Sequence, residues 1–106
     1  MDAIEVTTFK LNRGLTVADF IAANADVDAW LLKQPGFLSR RIAQRSDGVV
    51  IDLLIWASAG DGERAADRLM QEPADSPVHA AIDQRTVTWT VSRVHHRLLP
   101  CPPARV

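Results

Sequence analysis

The sequence predicts an α+β domain of the ferredoxin-like type, in which the order βαββαβ lays both helices on one face of a four-stranded antiparallel sheet. Three observations carry that prediction. β-Branched runs near both ends of the chain, at residues 3–11 and 85–95, read as strands. Asp47-Gly48 separates two apolar runs, among the strongest hairpin signals in a sequence. Segments of helical period fill the intervals between these sheet-forming regions.

The elements follow in order. Residues 3–11 (AIEVTTFKL) hold no Gly or Pro, and Asn12-Arg13-Gly14 breaks the strand. Thr16 is an N-cap candidate, and Val17, Phe20, Ile21, Asn24, Val27, Trp30 and Leu31 recur at helical spacing. They predict one amphipathic helix of about four turns, which Gln34-Pro35-Gly36 stops. Residues 37–45 and 49–58 form the hairpin strands. Residues 60–72 form a second helix with Ala65, Ala66, Leu69 and Met70 inward, ended by Pro73. Asp75-Ser76-Pro77 reads as a cap and a first-turn proline opening a short helix through Ile82. The alternating stretch 85–95 is the last strand. The domain is expected to span residues 1–96, with a proline-rich tail at 97–106 that is loose or bound to a partner.

The bulk properties exclude several function classes. Twelve Lys and Arg stand against 13 Asp and Glu in 106 residues, a net charge of −1, so no nucleic-acid partner is expected. The only cysteine, Cys101, forbids an internal disulfide and a cysteine-based zinc site. No apolar run approaches the roughly 18 residues of a membrane span, and the first residues lack signal-peptide features; a cytoplasmic protein is expected. A chain this short buries only about two-thirds of its unfolded surface, so association would help to stabilise it.

Strand alternation sorts the sheet faces. Val49, Ile51, Leu53, Ile55 and Ala57 are uniformly apolar and are expected to face the helices. A two-residue turn at Asp47-Gly48 would pair Ser39 with Trp56, Arg41 with Leu54 and Ala43 with Asp52, and send Leu38 and Ile42 to the helix side. The bare face would then carry Phe37, Ser39, Arg41, Asp52, Leu54 and Trp56, joined by Glu5, Thr7, Phe9 and Leu11. Large apolar residues on an open face predict a partner, here a symmetric homodimer.

Residues 34–41 (QPGFLSRR), Asp47-Gly48 and residues 52–56 (DLLIW) resemble the PGF…DG…W core of antibiotic-biosynthesis-monooxygenase-like proteins, and residues 76–83 (SPVHAAID) resemble the short helix before their last strand. The resemblance spans roughly residues 3–96. It implies a dimeric α+β barrel with a pocket in each protomer; some members oxidise phenolic polyketides with oxygen and no cofactor, and others degrade haem. Trp56 matches the tryptophan of active members. The asparagine and histidine of the haem degraders are matched by Thr7 and Ile82, so haem chemistry does not carry over, and no cofactor is expected.

The candidate catalytic residues are Trp56, Arg41 and Asp52. Trp56 offers a flat wall with an N–H donor, or interface packing. Arg41 would stabilise a developing oxyanion, or pair with Asp52. Asp52 would act as a general base if desolvated alone, and the Arg41 pair is favoured. Ser39, Thr7, Phe37, Leu54 and His79 are the candidate substrate contacts; a histidine such as His79 is more often a plain surface residue. His95 and His96 point to opposite strand faces, and no metal site is expected. Gly60-Asp61-Gly62 would start a pocket lid or be an ordinary loop. Two functions fit: a cofactor-independent monooxygenase-like protein for a small aromatic or polyketide-type substrate, or a non-catalytic dimeric module that binds a small ligand or another protein.

Overall fold

A computed structural model describes residues 1–73 and 75–100. Strand β1 (Ala3–Leu11) is followed by helices α1 (Val17–Ala23) and α2 (Ala25–Leu31), the hairpin β2 (Phe37–Gln44) and β3 (Val50–Trp56), helices α3 (Ala59–Leu69) and α4 (Val78–Ala81), and β4 (Ile82–Arg93). The strands form one antiparallel sheet in the order β2-β3-β1-β4. The expected α+β ferredoxin-like order is therefore present. Cys101 and the rest of the tail beyond residue 100 lie outside the described residues.

The expected long helix is two short ones. Thr16 caps α1 in a full capping box, its Oγ1 accepting from the Asp19 amide while the Asp19 carboxylate accepts from the Thr16 amide. The helix then breaks at Asn24, whose backbone leaves helical geometry (φ −91°, ψ 4°) before α2 resumes. Asn24 Nδ2 donates to Phe20 O at 2.7 Å, the local side-chain-to-backbone bonding by which Asn competes with regular helix. Gly60-Asp61-Gly62 is neither lid nor loop but the first turn of α3, capped by Ser58. Met70, expected inward, is 72% exposed.

The hairpin corrects the expected sheet faces. The Arg45 amide donates to Val49 O and the Gly48 amide to Arg45 O, so Ser46-Asp47-Gly48 forms a three-residue loop. Gly48 closes it in the left-handed region, at φ 90°. One extra loop residue moves the register by one, and each one-residue slip turns a strand over. Arg40, not Arg41, lies opposite Leu54, and Ile42 lies opposite Asp52. A bulge between Phe37 and Ser39 leaves Phe37 opposite Trp56.

The helix-covered face carries Ala3, Glu5 and Phe9 of β1 with Val50, Asp52, Leu54 and Trp56 of β3, all buried. Phe20, Val27, Leu31, Ala65, Val78 and Ala81 close over them to complete the core. The uncovered face carries Ile4, Val6, Ile51, Leu53 and Ile55, each partly exposed. Expectation had these two sets the other way round: uniform apolarity marked the open face of the sheet, and the mixed set went under the helices.

Candidate active site

All four strands place the polar groups of the covered face. Glu5 sits on the central strand β1, diagonal to Trp56 of β3 and Trp89 of β4. Trp56 Nε1 donates to Glu5 Oε1 at 2.8 Å, and Trp89 Nε1 donates to Glu5 Oε2 at 2.7 Å. Each carboxylate oxygen thus holds one indole N–H. Burial nevertheless wins over these two bonds and pushes the Glu5 carboxyl above the usual carboxylate range, with the Asp52 charge adding to the rise.

Beside it, Arg40 forms a bidentate pair with Asp52 at 3.0 and 2.6 Å and reaches Asp28 of α2 at 2.8 Å. The Arg40 and Asp52 side chains are only 10% and 11% exposed. Burial alone would lower the guanidinium's proton affinity, but the bonds to Asp52 and Asp28 outweigh it and raise it further. Arg40 and Asp52 are therefore held charges that satisfy each other, whereas Glu5 is the buried acid with no cation bonded to it.

A cleft of about 690 Å³ lies over this cluster, within the size range of small-molecule sites. The sheet supplies Glu5, Thr7, Arg40, Asp52 and Trp89, and the helices supply Phe20, Asn24, Val27 and Leu69. A recess of about 60 Å³ continues from it to Trp56, Leu54 and Trp30. Pairing between β1 and β4 jumps between Thr8 and Lys10, and Gln84 and Val87 of the displaced stretch join the lining.

Two packing contacts fix Trp56. Phe37 meets it edge-on, with ring centroids 5.5 Å apart. Gly62 of α3 faces the indole so closely that a Cβ there would lie 2.9 Å from its Cδ1. Trp56 is wholly buried, with its N–H committed to Glu5.

Of the residues singled out from sequence, Trp56, Asp52, Thr7 and Leu54 come together here, and His79 stands on the cleft wall with Nε2 near Pro73 O at 3.1 Å. Phe37 backs Trp56 without lining the cleft. Arg41 and Ser39 lie on the uncovered face, and the expected Arg41–Asp52 pair is an Arg40–Asp52 pair. Sequence reasoning did not single out Glu5, Arg40, Asn24 and Trp89 as site residues. The lone acid of β1 and an asparagine in the apolar stripe of the first helix were the available signals. Among the described residues no cluster of His, Cys, Asp and Glu is arranged to hold a metal, and no helix is long and apolar enough to cross a membrane.

No family model matches the chain, and no curated protein matches it in sequence. Solved structures do match. SnoaB, a cofactor-independent oxygenase from Streptomyces nogalater, superposes with a TM-score of 0.70 and 18% identity over 92% of this chain and 96% of its own. The monooxygenase from the gene ActVA-Orf6 of Streptomyces coelicolor, in complex with the ligand nanaomycin D, gives 0.63 and 20% over 93% and 92%. Rv0793 from Mycobacterium tuberculosis gives 0.63 and 15% over 99% and 100%. The chain thus has a monooxygenase-like α+β fold, and the resemblance read from residues 34–56 holds at the level of the fold. Function does not follow from fold.

Proposed function

We propose that this chain is a cofactor-independent monooxygenase-like protein that oxidises a small aromatic or polyketide-type phenol in the cleft. The observation that carries the reading is Glu5: a buried carboxyl, raised above its usual range, without a bonded cation, on the floor of a ligand-sized cleft. A raised carboxyl is nearer the working pH and makes a better general base. Glu5 removes a proton from the bound phenol, and the substrate anion supplies electrons to oxygen. At a methylene between two rings, two C–H bonds break, one oxygen atom stays as a carbonyl and the other leaves with both hydrogens as water. Trp56 and Trp89 hold the carboxyl in place. Asp52, clasped by Arg40 at 3.0 and 2.6 Å, gives a fixed polar contact, and Thr7, Leu54 and His79 shape the walls.

We further propose a homodimer joined through Ile4, Val6, Ile51, Leu53 and Ile55, with Ser39 and Arg41 on the same face. An open apolar patch of this kind is the usual mark of a protein interface.

Oxygen uptake with a panel of hydroxyanthrones tests the reading. Glu5→Gln is expected to lower uptake by on the order of a hundredfold or more while leaving binding intact. Wild-type uptake should fall on acidification, with a midpoint above the ordinary glutamate range, as Glu5 takes up its proton. Unchanged uptake in the variant would falsify the assignment of the base. The Arg40–Asp52 clasp favours a second reading, since it is a structural pair: a dimeric module that binds the ligand without turning it over. Binding with no uptake in wild type would select that reading.

A further inference from the structure

Asn24 sits where the first helix breaks, wholly buried and on the wall of the cleft between Phe20 and Val27. Its two amide atoms are in different situations. Nδ2 donates to Phe20 O at 2.7 Å, which fixes the amide's orientation, because a flip would set Oδ1 against that carbonyl. Oδ1 has no partner, and among the described residues it is the one buried side-chain nitrogen or oxygen in that condition. Such atoms are rare because leaving an acceptor unpaired is costly, and a leucine at this point of the apolar stripe would avoid the cost altogether.

We infer that Asn24 determines the specificity of the cleft by accepting, at Oδ1, a hydrogen bond from a substrate hydroxyl. The substrate class is then narrower than a phenol. It is a polyhydroxylated aromatic, with one hydroxyl toward Glu5 on the sheet and a second toward the helix break. The inference rests on the cleft being the ligand site, as proposed above. The neighbouring Phe20 and Val27 offer no competing donor on that wall, so a ligand lacking the second hydroxyl leaves Oδ1 unsatisfied.

Binding is measured by quenching of tryptophan fluorescence, with the two naphthols, a series of dihydroxynaphthalene isomers and their monomethyl ethers as probes. In wild type, at least one diol is expected to bind about tenfold more tightly than its own monomethyl ether, which keeps the ring and loses one donor. Asn24→Leu is expected to abolish that preference, so that each diol and its ether bind the variant equally. If every diol binds like its ether in wild type, or if the preference survives in Asn24→Leu, the inference is overturned and the cleft reading stands. If no probe binds wild type, both fall. Where the leucine variant does not fold, Asn24→Ala replaces it, and a preference that survives there likewise overturns the inference.

Discussion

The two faces of the sheet reverse the usual distribution of polarity. The face under the helices holds Glu5, Arg40, Asp52 and the indole N–H groups of Trp56 and Trp89, while the face without helices holds Ile4, Val6, Ile51, Leu53 and Ile55. Ordinary folding energetics favours the opposite arrangement, since buried charges cost free energy and exposed aliphatic side chains gain none. Each departure calls for its own explanation. On the covered face every charge but one is matched, and the exception, Glu5, faces the cleft, which is what the proposed role of that carboxyl rests on. On the open face the apolar row, with Ser39 and Arg41 beside it on β2, suits a second flat sheet.

Substitutions that treat the faces differently can break this comparison. The largest expected effect is at Arg40. Arg40→Met leaves Asp52 buried without its partner and should cost about 3 to 5 kcal/mol in chemical denaturation. Arg41→Met, one residue along and on the exposed side, should change stability by no more than about 0.5 kcal/mol. Equal losses at the two positions would mean that the hairpin register is wrong.

The next effect is on assembly. Leu53→Asp sets a charge in the middle of the open face, and the proposed dimer should weaken at least about a hundredfold in sedimentation, with the monomer still folded. A wild-type chain that sediments as a monomer would remove the interface from the account.

Gly62→Ala gives the smallest effect and the finest test. Alanine in an exposed helix normally stabilises by up to about 1 kcal/mol. Here the added Cβ would press on the Trp56 ring, which its bond to Glu5 and its edge contact with Phe37 hold in place. Overpacking of this kind costs about 1 to 3 kcal/mol, so a net loss is expected in thermal unfolding. A gain would show that α3 sits further from the sheet.

How much of this was legible in the sequence varies with how local each cause is. The strands announce themselves by β-branched runs, and Thr16 and Ser58 lie just before helical periods, so the element order is readable throughout. The site was less so. Asp47-Gly48 locates the hairpin, but whether Ser46 belongs to the strand or to the loop turns on one hydrogen bond, and that single residue decides between Arg40 and Arg41. Uniform apolarity of Ile51, Leu53 and Ile55 points inward only if nothing else covers them; a chain that associates can invert that rule. The Glu5 clamp depends on the pairing of β1 with both neighbours, which brings residues 5, 56 and 89 together from across the whole chain. No local pattern encodes such a meeting.

The most direct test of the difference between the faces is a two-dimensional amide NMR titration of the protein with 1-naphthol. The account predicts shifts in the indole Nε1–H signals of Trp89 and Trp56, with smaller changes at Thr7 and Asn24 and none at Ile4, Leu53 or Ile55. Shifts confined to the amides of Ile4, Val6 and Leu53, with both indole signals unmoved, would contradict it and place the ligand on the open face.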